Sequence, residues 1–114
     1  MNIKMWRTAA GSSPVSDFIG DQEDKPASRI MKDIEHLEEQ GLRLLATKKM
    51  KRFTGYNQLY ELVTNFKGVG YRIIFTVING DAWLLEAFKK KGDVTPQRYI
   101  NTSLARRNQI LAII

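Results

Sequence analysis

Six cations set the chemistry open to this chain. Arg72 sits inside the apolar run Tyr71 to Ile78, Lys89, Lys90 and Lys91 follow the run Ala82 to Phe88, and Lys51 and Arg52 belong to the basic string Lys48 to Arg52. Grouped cations of this kind hold phosphates. A guanidinium donates two hydrogen bonds from a planar fork, while a lysine contributes a mobile point charge. The expected arrangement is a concave basic surface on which Arg72, Lys89, Lys90 and Lys91, joined by Lys51 and Arg52, bind a nucleic-acid backbone. Each cation also has a simpler reading. Lysines just past a strand end keep a sheet edge soluble, and Arg72 can serve a cross-strand carboxylate, with Glu61 the candidate.

Composition removes other options. The chain has no cysteine, which excludes disulfides and thiolate catalysis and suits a reducing compartment. His36 is the single histidine, so a zinc site or a histidine-based triad lacks its partners. No metal or cofactor is expected. His36 itself, one helical turn from Lys32 and Gln40, reads as a solvent-facing side chain.

The charge is divided between the halves. Residues 1–42 carry five Lys/Arg against eight Asp/Glu, and residues 43–114 carry thirteen against four, giving −3 and +9. The basic half is also the strand-like half, so the expectation is a basic sheet surface, and polyanions are the first partners to consider. With 114 residues, 43% of them hydrophobic, the chain fits one domain spanning residues 1–114 that needs no staples. No apolar stretch approaches the roughly 20 residues of a membrane span, and no signal-peptide core follows Arg7. A soluble cytoplasmic protein, not a membrane one, is expected.

The elements that must position the cations follow from local signals. Ile3 to Arg7 reads as a short edge strand. Ser13 is an N-cap before Pro14 at the first helical position, and Val15, Phe18 and Ile19 give that short helix one apolar side. Pro26 opens a second helix with an apolar stripe of Ile30, Ile34 and Leu37; Asp33, Glu35, Glu38 and Glu39 decorate its other faces, and Gly41 stops it. Leu59 to Thr64, Tyr71 to Ile78 and Ala82 to Phe88 read as three antiparallel strands. A loop from Asn65 to Gly70 joins the first two, and an Asn79-Gly80 type I′ turn joins the last two. Thr95 and Pro96 start a C-terminal helix whose apolar face is Ile100, Leu104, Leu111 and Ile114. The fold class is α+β: an antiparallel sheet of about four strands with two N-terminal helices and a C-terminal helix packed on it.

Strand alternation predicts which charges meet. From the Asn79-Gly80 turn, an unbroken ladder sets Arg72 opposite Ala87 and diagonal to Lys89, so Arg72 and Lys89 share the outward face with Ile74, Trp83 and Leu85. Tyr71, Ile73, Phe75, Val77, Leu84 and Phe88 then face the core, with Glu86 among them. The apolar residues on the outward face imply that part of it is covered or used for binding. Trp83 packs there or stacks on a base. Arg98, Arg106 and Arg107 on the last helix are solvated, extend an RNA surface or face a protein partner.

Four strings carry a family resemblance: Leu59-Tyr60-Glu61-Leu62, Gly70-Tyr71-Arg72-Ile73-Ile74-Phe75, Leu84-Leu85-Glu86-Ala87-Phe88-Lys89-Lys90-Lys91, and Thr95-Pro96. With Ser13-Pro14-Val15 and Phe18-Ile19 before them, their order resembles the RelE/ParE toxin superfamily, in its phage-derived, HigB-like branch. The resemblance implies an antiparallel sheet backed by helices and, in many relatives, a metal-independent endoribonuclease (mRNA interferase) that cuts mRNA in the ribosomal A site. In that chemistry the ribose 2′-hydroxyl attacks the adjacent phosphate, leaving a 2′,3′-cyclic phosphate and a 5′-hydroxyl. On the matching positions it assigns Arg72 to phosphate stabilisation and Lys89 and Lys90 to substrate binding, one of them supplying a proton. Lys51, Arg52 and Lys91 fall to RNA binding. Two positions depart from the family pattern. Val63 stands where relatives often carry arginine, opposite Arg72, and Glu86 stands where they often carry histidine.

The resemblance thus implies the toxin of a type II toxin-antitoxin system that inhibits translation, with mRNA on the ribosome and a cognate antitoxin as partners. Val63 motivates a second reading, a catalytically inactive RNA- or ribosome-binding relative. A ParE-like gyrase inhibitor is a third, because the same fold supports it.

Overall fold

In the computed structural model, which describes residues 1–90 and 92–114, a five-stranded sheet lies between two N-terminal helices on one face and the C-terminal helix on the other. The elements are β1 (Asn2–Met5), α1 (Pro14–Gly20), α2 (Asp24–Gln40), a 3-10 segment (Gly41–Ala46), β2 (Met50–Arg52), β3 (Leu59–Phe66), β4 (Val69–Ile78), β5 (Asp81–Lys90) and α3 (Gln97–Ile113). The sheet order is β1-β5-β4-β3-β2. From β2 to β5 every pairing is antiparallel, whereas β1 joins the edge of β5 in parallel. The sheet is therefore mixed and has one strand more than expected; β2, at three residues, is too short to show a period of its own.

Several local signals hold. Ser13 caps α1, its hydroxyl accepting from the Ser16 N–H, with Pro14 in the first turn. Gly41, at φ 59°, ends α2, a conformation that costs an L-residue with a Cβ. Asn79 and Gly80 both take positive φ in the tight turn that pairs Ile78 with Asp81. The expected Asn65 to Gly70 loop is instead a second tight turn. Lys67 and Gly68 take its two positive-φ positions, and Asn65, Phe66, Val69 and Gly70 continue the ladder.

Each sheet face has its own core. Tyr60, Leu62, Tyr71, Ile73, Phe75, Leu84 and Ala87 pack under Val15, Ile19, Ile30, Ile34 and Leu37 of the helix pair. Leu59, Ile74, Leu85 and Phe88 pack under Ile100 and Ile110 of α3, so the apolar residues of the outward face are indeed covered. The apolar stripe expected on α3 needs correction. Leu111 and Ile114 are exposed, and Ile110 and Ser103 are buried instead: the buried stripe runs through Ile100, Ser103 and Ile110, and Leu111 is turned about 100° round the helix from Ile110.

A bulge between β4 and β5 changes the register. Phe75 pairs with Leu84 but Ile74 pairs with Glu86, leaving Leu85 as an extra residue. Beyond it every β5 side chain changes face relative to simple alternation. Phe88 goes to the α3 side and stacks on Tyr99 at 4.0 Å between ring centres, while Ala87 goes to the helix-pair side. Glu86 also goes to the α3 side, 3.4 Å from Arg106, rather than into the helix-pair core. Asp33, expected on an outer face of α2, is buried. Its carboxylate accepts from Lys49 at 3.0 Å and from the Thr64 hydroxyl at 2.6 Å, partners that only the sheet brings near. His36 follows it, half-buried with Nδ1 3.5 Å from Asp33.

Candidate nucleic-acid interface

Glu61 lies on β3 between Tyr60 and Leu62 and is fully buried. A carboxylate in that setting must be paired, since leaving an ionised group unsatisfied away from water costs several kcal/mol, about 3 to 5 when a partner is removed. Arg72 Nη1 donates to its Oε1 at 2.7 Å, Lys51 Nζ lies 3.3 Å from the same oxygen, and the Thr95 hydroxyl donates to Oε2 at 2.7 Å. Arg72 Nη2 also donates to the Gly92 carbonyl at 2.7 Å, and Lys51 Nζ to the Asp93 carbonyl at 3.1 Å. Gly92 and Asp93 are therefore tied over the ion pair.

Gly70 makes room for this arrangement. A Cβ there would stand 3.1 Å from Arg72 Nε and 3.3 Å from the Lys90 carbonyl, tighter than most side-chain contacts, so the guanidinium or the strand would have to shift to admit it. Arg72 is 6% exposed, and among the described residues its buried Nε has no hydrogen-bond partner. The cross-strand pair with Glu61 is thus the engagement that Arg72 adopts. Two cations around one carboxylate leave one net positive charge. Lys51, with 40% of its side chain exposed, carries that charge to the surface.

The other cations divide between the two faces. Because of the bulge, Arg72 pairs with Phe88 rather than Ala87, and Lys89 pairs with Tyr71, so Arg72 and Lys89 do not share a face. Lys90, opposite Gly70, takes the place expected for Lys89. Arg52 is exposed, with its guanidinium 5.5 Å from the Tyr60 ring centre. Lys91 lies outside the described residues. Val63 is opposite Arg72 as expected, and 8% exposed.

Arg106 and Arg107 have partners within the chain. Arg106 donates to the Leu85 carbonyl at 2.6 Å and lies over the Trp6 ring, and Arg107 donates to the Asn57 carbonyl. Arg98 rests on Tyr99. Trp83 is half-buried, with Lys4 Nζ 5.4 Å from its ring centre.

The structure thus joins Arg72, Lys51 and Lys90 on one side and separates Lys89 from them. Thr95, expected to open the C-terminal helix as a cap before Pro96, gives its hydroxyl to Glu61 instead, and α3 starts without a side-chain cap. The legible signal for this hub was Glu61 itself, a carboxylate inside an apolar strand. Chemically, the Arg72 face can hold a phosphate through Lys51 and Lys90, whereas Arg52, opposite Tyr60, lies on the helix-pair side and does not join them. Arg72, with both Nη groups committed, adds charge from behind. Among the described residues no helix is long and apolar enough to cross a membrane.

No curated protein matches this chain. The family described as Phage derived protein Gp49-like (DUF891) matches residues 17–108, a segment that contains Lys51, Arg52, Glu61, Arg72, Lys89, Lys90 and Thr95. The chain belongs to this phage-derived Gp49-like family, which is associated with toxin-antitoxin systems.

Proposed function

We propose that the protein is the toxin of a type II toxin-antitoxin pair, kin to the HigB-like branch of the RelE/ParE superfamily, and that it arrests translation as a metal-independent, ribosome-dependent mRNA endonuclease. Membership of the Gp49-like family carries this reading. The basic strand-bearing half and the face that carries Lys51 and Lys90 support it. In the reaction the 2′-oxygen loses its proton and bonds to phosphorus, the bond to the 5′-oxygen breaks, and that oxygen takes a proton. Charge builds on the phosphate oxygens, where preorganised cations act most strongly. Lys51 and Lys90 contact that charge, the buried Arg72 reinforces them through its field, and Lys89 holds flanking RNA at the other side of β5. A cognate antitoxin neutralises the protein, drawn by the same positive field.

The test is transcript-end mapping after induction. Wild type is expected to halt protein synthesis and to leave 2′,3′-cyclic phosphate and 5′-hydroxyl ends, and Lys51→Ala/Lys90→Ala to lower cutting more than tenfold, taking about 1.4 kcal/mol per decade. Arrested growth with intact transcripts would overturn the nuclease assignment. One observation favours a second reading, an RNA-binding relative that does not cut: Arg72 is committed to Glu61 and faces Val63 rather than a second arginine. On that reading wild type stalls translation, leaves transcripts whole and still binds RNA.

A further inference from the structure

On the sheet face opposite α3, a hollow of about 380 Å³ opens between α2 and the β2–β3 edge. Arg29, Lys32 and His36 reach it from one side of α2, and Lys49 and Asn65 from the sheet. Asp33 forms its floor. This buried carboxylate holds Lys49 Nζ at 3.0 Å and accepts from Thr64, so Lys49 is fixed at the rim while 48% of its side chain stays exposed. Among the described residues neither Arg29 nor Lys32 has a carboxylate within 4.0 Å. Three cations over one carboxylate leave two positive charges in a concavity, where low-dielectric walls concentrate the field.

A second hollow adjoins it. Arg29 borders both, and Lys25, Phe66, Lys67 and Asp24 complete the second. The half-buried Phe66 ring has two cations near it, Arg29 at 4.9 Å and Lys67 at 5.4 Å from the ring centre. Cations beside a partly exposed aromatic ring suit one chemistry in particular: a phosphate takes the charges and its neighbouring base stacks on the ring, displacing the exposed Lys67 side chain from it. Lys25, Arg29, Lys32 and His36 recur at intervals of four, three and four, which places them along one stripe of α2.

We infer that this is a second, separate nucleic-acid site, in which Arg29, Lys32 and Lys49 grip a backbone phosphodiester of a single strand and Phe66 stacks the adjoining base. Arg29 supplies the planar fork, Lys32 and Lys49 the point charges, and Asp33 positions Lys49. The site lies across the sheet from Glu61 and Arg72. It deepens the toxin reading by naming a part of the RNA-binding surface that is not where cutting would occur.

The experiment measures binding of a fluorescent single-stranded RNA 12-mer against salt, for wild type, Arg29→Ala/Lys32→Ala and Phe66→Ala, each checked for fold by circular dichroism. Transcript-end mapping and translation assays run on the same proteins. The double variant is expected to bind about tenfold more weakly, with a log–log salt slope shallower by about 1.4, or about 0.7 for each of two lost phosphate contacts on a single strand. Phe66→Ala is expected to weaken binding with the slope unchanged, because stacking releases no counterions. Arg29→Lys/Lys32→Arg keeps the charge and should retain most of the salt slope.

Wild-type affinity and slope in the double variant overturn the second site, and so does a wild type that binds no RNA. Competition by inorganic phosphate as strong as by the oligonucleotide overturns the strand assignment in favour of a small-anion pocket. If wild type binds through Arg29 and Lys32 yet neither cuts transcripts nor stalls translation, the toxin reading fails while this site stands. If wild type cuts and stalls but the double variant binds normally, the reverse holds.

Discussion

Among the described residues, removing the guanidinium of Arg72 leaves Glu61 with only Lys51 and the Thr95 hydroxyl, in a fully buried position. Because the carboxylate stays buried, Arg72→Met is expected to lower stability by about 3 kcal/mol in urea unfolding. Removing both charges, Arg72→Met/Glu61→Leu, is expected to restore at least half of that loss, since a buried pair replaced by apolar groups of similar volume is close to neutral. A double variant no more stable than the single one would show that packing beside Gly70, and not the stranded charge, sets the cost. The same residues explain how much of the site could be read in advance. A carboxylate between Tyr60 and Leu62 and an arginine between Tyr71 and Ile73 already suggest a cross-strand pair. The Gly92 carbonyl and the Thr95 hydroxyl that complete it come from a connection twenty or more residues further on, and no local pattern marks them.

Among the elements, the β4–β5 ladder and α3 determine each other. The extra residue Leu85 directs Phe88 toward α3, where it meets Tyr99 in a nearly parallel stack, and directs Glu86 toward Arg106 on the same helix. Phe88→Ala is expected to cost about 3 to 5 kcal/mol, because it removes a buried ring and leaves a cavity between sheet and helix. Ile113→Ser, at a position 84% exposed, is expected to change stability by less than about 0.5 kcal/mol. Both are read from urea midpoints; similar shifts for the two would mean that α3 does not rest on β5 as described. The bulge also decides which lysine stands with Arg72. Alternation alone selects Lys89, one inserted residue selects Lys90, and a register slip of one always exchanges the two faces of a strand.

For the whole molecule, the positive charge is spread over both sheet faces rather than gathered on one. Lys51 and Lys90 lie toward the Arg72 side, while Arg29, Lys32 and Lys49 lie toward α2 and Arg52 faces the helix-pair side over Tyr60. Residues 1–42 hold eight of the twelve acidic residues, yet one stripe of α2 is basic, so the −3 of this half hides a cationic surface. RNA binding by the intact protein should therefore be strongly salt-dependent. Lys51→Ala/Lys90→Ala is expected to make the log–log slope shallower by about 1.4 in a titration from low to moderate salt, with the far-UV spectrum unchanged. An unaltered slope would remove these lysines from the interface.

What the sequence by itself determined was governed by neighbours in the chain. Ser13 before Pro14 starts α1, Gly41 ends α2, Asn79-Gly80 turns β4 into β5, and β-branched and aromatic runs make three central strands; each is settled within a few residues by steric limits and local hydrogen bonds. The tertiary structure alone decided what depends on distant partners. It set β1 parallel beside β5 and added the three-residue β2, and it inserted the Leu85 bulge. It also gave Glu61 and Asp33 their cations, because a buried charge accepts whatever donor the fold brings within about 3 Å, and sequence separation does not enter that selection.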